Sequence, residues 1–273
     1  MKCNVCNGEN WSLGVKLKTC LDCGFVKASD EYYQDNINFE TLYDETYYNG
    51  GDYVNYSIEV SALKKNFTDR LKLIKKYVPL KAEVLEIGSG YGYFLECARH
   101  LYSIVGVERN PAVAKVLQDR LGIKIYGGDF NKINFDKKFD AIVTLDTIEH
   151  IANPEIFIKK CYELLNPGGW IFIETGDIGS LIPKLRGEKW RLVHPPEHLS
   201  YFTLSSLMKL LEDRGFSVVL TKRVSFWRSV SQTIYRISPK IYNKLPKFTI
   251  YIINKLNFPL NTFDLMFIAA RKS

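Results

Sequence analysis

Three sets of residues in this sequence combine side chains and spacings that could do chemistry: paired cysteines, a glycine loop with acids beside it, and clustered histidines. Cys3-Asn4-Val5-Cys6-Asn7-Gly8 and Cys20-Leu21-Asp22-Cys23-Gly24 are two Cys-x-x-Cys turns separated by residues 7–19. Such a turn aims both thiolates at one point, and a glycine beside it tolerates the tight backbone. Four thiolates complete a closed tetrahedral shell that suits Zn2+ and leaves no position open for substrate. Cys3, Cys6, Cys20 and Cys23 are therefore expected to hold a structural zinc ion that folds residues 1–28. The competing reading, a redox dithiol, belongs in a thioredoxin-like βαβ setting that the surrounding sequence lacks. Cys97 and Cys161 fall within helical patterns and read as small buried apolar residues.

The glycine loop is Glu86-Ile87-Gly88-Ser89-Gly90-Tyr91-Gly92, between an apolar β-rich run and a helical pattern. Glycine lets a ligand approach the backbone and accepts positive φ. Glu108 ends the next apolar run, the place from which an acid holds the two ribose hydroxyls of an adenosine cofactor. A dinucleotide fingerprint, G-x-G-x-x-G, would need glycine at position 93, where this chain has Tyr93. Glu86 would repel a pyrophosphate, yet it suits a cofactor that carries positive charge. Gly88, Gly90, Gly92 and Tyr93 are thus read as the cofactor loop, together with Glu86 and Glu108.

Four histidines are available for proton transfer near neutral pH. His100 ends a helical pattern and reads as a surface or capping residue. His150 lies in Asp146-Thr147-Ile148-Glu149-His150-Ile151, just past an apolar strand. His194 and His198 lie in His194-Pro195-Pro196-Glu197-His198-Leu199-Ser200-Tyr201-Phe202. Both segments follow strand carboxyl ends, where open α/β sheets bind their ligands, so three histidines are expected on one rim.

The elements that must position these groups follow from periodicity. Phe67, Leu71 and Ile74 recur at helical spacing, and one helix is expected over 57–80. Strands are expected at Val84–Ile87, Ile104–Glu108, Lys124–Tyr126, Phe139–Leu145, Trp170–Glu174, Phe216–Arg223 and Phe263–Arg271. Helices are expected at Tyr91–His100, Pro111–Leu121, Pro154–Leu165 and Ser205–Arg214. This alternation predicts an α/β fold with a parallel sheet and crossover helices. Residues 1–28 form the cysteine module and residues 29–80 a tyrosine-rich lid or linker with its helix. Residues 81–273 form the main domain, interrupted by an insertion over 225–263.

These motifs resemble the class I S-adenosylmethionine-dependent methyltransferases, over roughly residues 60–224 and 263–271. The glycine loop is similar to their first motif. Phe139-Asp140-Ala141-Ile142-Val143 and Leu165-Asn166-Pro167-Gly168-Gly169 match their fourth strand and the turn before the fifth. The resemblance implies a seven-stranded Rossmann-like domain with an antiparallel last strand. It implies S-adenosylmethionine as cofactor, with Asp129 and Phe130 beside the adenine and Asp146 lining the site. The I-E-H and P-P-E-H-L-x-Y-F segments look like a bacterial subfamily associated with sugar, polysaccharide and natural-product biosynthesis. In related deoxysugar C-methyltransferases, which also carry a four-cysteine zinc domain, the Glu-His pair is implicated in acid/base work. By that resemblance Glu149 and His150 are the first candidates for catalysis, with His198 and His194 as alternatives. Those enzymes have a further C-terminal domain, where this chain has the insertion and one strand.

Composition narrows the partners. With 46% apolar residues the chain has material for a packed core, and no run is apolar enough to suggest a spanning helix or signal peptide. A cytoplasmic site of action is expected, and reduced cysteines fit it. Net charge is +7, and Ser225–Phe263 carries Arg228, Arg236, Lys240, Lys244, Lys247 and Lys255 without one acid. That insertion reads as a substrate lid, as contact with a membrane surface and an anionic lipid-linked glycan, or as a nucleic-acid contact. The leading expectation is O-methylation of a sugar or glycan hydroxyl on a small molecule, nucleotide-sugar or lipid-linked glycan. C- or N-methylation of a natural product or deoxysugar is an alternative. RNA methylation is another, since some rRNA enzymes join a zinc finger to this fold, but Asp146-Thr147-Ile148-Glu149 replaces their N-P-P-Y-like segment and the knuckles present no basic face. A non-enzymatic binding module accounts poorly for the intact glycine loop.

Overall fold

The computed structural model describes residues 1–29 and 56–273. The expected tyrosine-rich lid, apart from Tyr56 at the start of a helix, lies outside the described residues.

The central sheet has seven strands, β4 (Glu83–Ile87), β5 (Ser103–Glu108), β6 (Ile125–Gly127), β7 (Phe139–Leu145), β8 (Leu165–Gly176), β10 (Phe216–Arg223) and β13 (Leu265–Lys272). Their spatial order is β10-β13-β8-β7-β4-β5-β6. Pairing is parallel from β8 through β6, and β13 runs antiparallel between β8 and β10. Period-two alternation sends the side chains of one strand to opposite faces. Leu85, Ile142, Ile171 and Ile173 pack on one side with α4 (Pro154–Leu164) and α6 (Leu204–Glu212). Val84, Ala141, Val143 and Phe172 pack on the other with α1 (Tyr56–Ile74), α2 (Tyr93–Ala98) and α3 (Pro111–Leu121). Both faces are covered, which is why the strands read as apolar runs rather than as alternation.

Local chemistry fixes the helix ends. Asn110 caps α3 through the Ala112 and Val113 amides, Pro111 occupies the first turn, and Gly122 closes it at φ 65°. The helix expected from Tyr91 starts later, at Tyr93, because Gly92 sits at φ 72° before it. The helix expected to reach residue 80 stops at Ile74. The fifth strand begins at Leu165, earlier than expected, because Leu165 already pairs with Phe139 and the Pro-Gly-Gly turn is absorbed as an irregularity in register. Cys161 is fully buried, as read, whereas Cys97 is half-buried.

A second sheet was not anticipated. β1 (Trp11–Leu13), β2 (Leu17–Cys20) and β3 (Val26–Ala28) form an antiparallel meander, and β3 pairs onward with β9 (Ser200–Tyr201). The cysteine module is thus joined by backbone pairing to the segment that follows His198. The insertion also has its own frame. β11 (Phe226–Ser229) and β12 (Asn257–Leu260) pair antiparallel and enclose α7 (Val230–Ile237), α8 (Pro239–Tyr242) and α9 (Lys247–Lys255). This hairpin docks on α1, where Trp227 Nε1 donates to Asp69 Oδ2 at 2.8 Å.

Arg70 of α1 anchors that helix to the sheet. Its Nη2 donates to Glu174 Oε1 at 2.8 Å, its Nε donates to Glu174 Oε2, and its Nη1 donates to the Ser225 carbonyl. Both ionic side chains are buried, so removing one leaves the other charge without compensation. Arg70→Met is expected to cost about 3–5 kcal/mol of folding stability, read as a lower denaturant midpoint; a midpoint equal to wild type would refute the anchoring role.

Candidate active site

A cleft opens at the carboxyl ends of β4, β5, β6 and β7, lined by Gly88, Gly90, Glu108, Arg109, Gly128, Asp129, Phe130, Asp146, Thr147 and His150, among others. The glycines serve different ends. Gly90 has φ 50° and open space where a Cβ would stand, so its backbone faces the cleft bare. A Cβ on Gly88 would lie 2.2 Å from Thr147 Oγ1, so that glycine lets two loops touch. A Cβ on Gly92 would meet Leu117 and Leu121, which places Gly92 in the packing of the loop on α3 rather than in the cleft.

Glu108 is 3% exposed. Its Oε2 accepts from the Gly90 amide at 2.8 Å and its Oε1 from the Asn110 amide at 3.0 Å. The carboxylate is therefore fixed by backbone at the wall of the cleft. Asp129 accepts from the Asn131 amide at 2.9 Å and opens onto the cleft, with Phe130 behind it. These groups suit an adenosine: an acid fixed at ribose height, a bare glycine backbone, and an aromatic wall. Besides Gly92, two more expected members stand away from the lining. Tyr93 stacks on Tyr91 with ring centroids 6.1 Å apart. Glu86 is buried beneath the loop, and burial holds its carboxyl well above the usual carboxylate range. Arg109, Thr147 and Asn131 line the cleft without having been singled out; each neighbours a residue that was.

Next to this cleft the two histidine segments meet. Thr147 and the turn Ile148–His150 follow β7, and the His194–Phe202 segment folds over them. Leu199 N donates to the Glu149 carbonyl at 2.7 Å, and Ser200 Oγ to the Ile151 carbonyl at 2.7 Å. His150 Nδ1 lies 2.8 Å from the Glu197 carbonyl and His198 Nδ1 lies 2.7 Å from the Leu192 carbonyl. A carbonyl only accepts, so Nδ1 carries the hydrogen in both rings and Nε2 is the basic nitrogen of each neutral imidazole. The rings stand edge-to-face with centroids 4.6 Å apart. Burial pushes His150 down to about 4; burial and then the neighbouring His150 push His198 down to about 3. The ring of His194 is 6.1 Å from that of His198, and the residue is exposed outside the cleft lining. His100 is exposed beyond α2.

The acids beneath behave differently from the expected pairing. Glu149 accepts from Thr175 Oγ1 at 2.9 Å, so the His150 ring is oriented by the Glu197 carbonyl instead of by Glu149. Burial, and then the charge of Asp146, pushes the Glu149 carboxyl up to about 8. Asp146 opens onto the cleft at φ 48°, its backbone in the left-handed region. Desolvation, and then Glu174, pushes it up to about 7 against the pull of Arg70 and Arg191.

At the other end of the PPEH segment the four N-terminal cysteines converge. Cys3 and Cys23 Sγ are 3.7 Å apart, Cys6 and Cys20 Sγ are 3.6 Å apart, and all four lie within 4.8 Å of one another. Sulfurs around a tetrahedral zinc at about 2.3 Å stand roughly 3.8 Å apart, so the donor set fits that ion. The Val5 and Gly8 amides point at Cys3 and Cys6 Sγ, each at 3.4 Å, satisfying the thiolates as a charged cluster requires.

Comparison with known proteins decides the class. Residues 60–221 match the family model described as "Methyltransferase domain". The chain belongs to this methyltransferase family. It is an S-adenosylmethionine-dependent enzyme, as the glycine loop and Glu108 led one to expect. The ubiquinone biosynthesis O-methyltransferase of Coxiella burnetii is 28% identical over 169 residues, 54% of this chain and 72% of that one. The mitochondrial enzyme of the same name from Rattus norvegicus is 32% identical over 162 residues, 50% of this chain and 44% of that one. Among solved structures, a methyltransferase from Haloferax volcanii, seen in complex with the Trm112 activator, superposes with TM-score 0.58 at 16% identity, covering 81% of this chain and 94% of that one. The N-methyltransferase NodS of Bradyrhizobium japonicum, in complex with S-adenosyl-L-homocysteine, gives 0.50 at 13% identity, covering 77% and 86%. These structural likenesses show the fold. The relatives named above are O- and N-methyltransferases, and none of these names refers to a sugar.

The histidine tautomers are directly measurable. Ring nitrogen NMR should find His150 and His198 neutral and Nδ1-protonated from pH 8 down to pH 5, taking up protons only near 4 and 3. A transition of either ring near the ordinary 6.5 would contradict the buried, carbonyl-bonded arrangement.

Proposed function

We propose that this enzyme transfers the methyl group to a hydroxyl oxygen, with His150 as the general base. The observation that carries the reading is the His150 ring itself: it lines the cofactor cleft, and its Glu197 contact leaves Nε2 as the basic nitrogen. S-adenosylmethionine, when bound, would supply a methyl activated on a sulfonium, so that the acceptor oxygen bonds to the methyl carbon in line as the carbon–sulfur bond breaks and the neutral thioether leaves. What the chain must add is alignment and removal of one proton. Glu108 would hold the ribose hydroxyls and Asp129 and Phe130 the adenine, while the bare backbone at Gly90 would admit the rest of the cofactor. His150 Nε2 takes the hydroxyl proton as the carbon–oxygen bond forms, and the Glu197 carbonyl stabilises the resulting imidazolium at Nδ1. His198, edge-on to His150, fixes the ring from the other side. Glu149, buried beneath the rings, bonded to Thr175 and pushed up by burial and by Asp146, is not suited to take the acceptor's proton.

The likeness to ubiquinone biosynthesis O-methyltransferases supports oxygen as the acceptor atom, with a phenol of a quinone precursor as one substrate class. The PPEHL segment supports the glycan hydroxyl as the other. Both need the same base, and assay of the two acceptor classes side by side separates them.

With a working acceptor, His150→Ala should lower turnover by roughly 10²–10⁴-fold and leave S-adenosylmethionine affinity unchanged. Glu108→Ala should do the reverse, weakening that affinity by roughly one to two orders of magnitude, the value of a lost charge-assisted hydrogen bond or two. A His150→Ala enzyme at wild-type rate, with His198→Ala inactive, would move the base to the PPEH loop.

The cysteine cluster is read as a closed structural zinc centre held by Cys3, Cys6, Cys20 and Cys23. Protein kept from chelators should contain one zinc per chain by elemental analysis. Cys20→Ser should lose it and expose residues 1–28 to protease; protein purified without zinc would overturn the assignment.

A further inference from the structure

Exposed apolar bulk is concentrated in the insertion. Ile237, Ile241, Phe248, Tyr251, Ile252 and Leu256 are 79%, 59%, 73%, 58%, 43% and 52% exposed. Helix α9 shows how this arises. Phe248, Tyr251, Ile252 and Lys255 follow at i, i+3, i+4 and i+7, one stripe of the helix, and every one is exposed. The opposite stripe, Ile250, Ile253 and Asn254, is half-buried, and the helix packs on α7 and α1. A helix folded onto a water-facing surface would turn its polar stripe outward; this one presents the phenyl, phenol and sec-butyl groups of Phe248, Tyr251 and Ile252. Lys240, Lys244, Lys247 and Lys255 surround that stripe, all exposed. Among the described residues none of the four pairs with an acid, and Lys255 Nζ leans over the Tyr251 ring at 4.1 Å.

We propose that the outward stripe of α9, with the neighbouring Ile237 and Ile241, inserts at the surface of an anionic lipid bilayer, with the lysines on the headgroups. Apolar side chains that reach the acyl boundary, ringed by cations that reach anionic headgroups, are the composition of an interfacial helix. Two other occupants fit less well. A second copy paired through this face would bring four lysines against four lysines. RNA would satisfy the lysines but gain nothing from Ile237, Ile241, Ile252 and Leu256. The inference holds whichever acceptor the active site takes, because it rests on residues outside the cleft. It also differs from insertion as a span: among the described residues no helix is long and apolar enough to cross a membrane.

The full chain should sediment with vesicles of phosphatidylcholine and phosphatidylglycerol and remain in solution with phosphatidylcholine alone. Raised salt should weaken the association. The variant Phe248→Ser with Ile252→Ser, and the variant Lys240→Glu with Lys244→Glu, should each reduce vesicle partitioning by about tenfold or more. All four positions are exposed, and unchanged S-adenosylmethionine affinity by calorimetry would establish that both variants are folded. Parent protein that ignores anionic vesicles overturns the proposal. So does partitioning that survives both variants, a dimer in sedimentation that the apolar variant abolishes, or single-stranded RNA binding that both variants reduce while vesicle binding is unaffected.

Discussion

The pairing of β3 with β9 holds the candidate catalytic groups in register. Val26 stands opposite Tyr201 and Lys27 opposite Ser200, and the Ala28 amide donates to the Leu199 carbonyl at 3.0 Å. Phe25 packs its ring 5.2 Å from that of Phe202, and Tyr201 OH donates to the His198 carbonyl at 2.9 Å. The same short segment is stitched on its other side to Glu149 and Ile151. His198 is therefore clamped between the N-terminal meander and the β7 loop, and the carbonyl that sets the His150 tautomer, Glu197, belongs to the clamped segment. A loop of this kind standing alone in solvent would sample many geometries. Here each backbone group on either side of His198 is spoken for.

The floor of the cleft shows a second constraint, the cost of charge out of water. Asp146, Glu149 and Glu174 approach one another beneath the histidines, and one guanidinium, Arg70, pairs directly with Glu174. Arg70 is taken up by Glu174, and Asp146 and Glu149 are the acids pushed up, to about 7 and about 8. Titratable groups displaced toward neutral pH beside a ligand cleft mark a site built for chemistry. The helix that delivers Arg70 also carries Asn66 and Asp69, which hold Trp227 at the root of the insertion. Cleft electrostatics and the placement of the basic helices thus share one support.

Much of this was legible in the sequence where a physical rule ties residue type to geometry. The alternation of short apolar runs with helical patterns announced the parallel sheet and its crossover helices, and paired Cys-x-x-Cys turns announced four convergent sulfurs. Glu108 was legible as a strand-end acid after the glycine loop, and the structure places it on the cleft wall. What stayed hidden depended on partners distant in the chain. Ser200-Tyr201 is too short to show a period, and only the arriving edge of β3 makes it a strand. Phe226–Ser229 and Asn257–Leu260 are also short, four residues each, and Pro259 disguises the second as loop, although an edge strand tolerates it. Gly90 and Gly92 look equivalent in the motif. They are separated only by which side of the loop meets α3, and that same crossing carries Tyr93 away from the cleft.

The place of β13 has a consequence for how the molecule comes into being. β10 precedes it in the chain, yet β13 lies between β10 and β8 and bonds to both. Until residues 265–272 leave the ribosome, β8 keeps an open edge of Ile171, Phe172 and Ile173, and β10 has no neighbour at all. The nascent chain must wait with unpaired strand edges exposed while the entire insertion is being synthesised, a long-range closure that is slow by its topology. During that interval the growing protein is most open to aggregation and most in need of a chaperone.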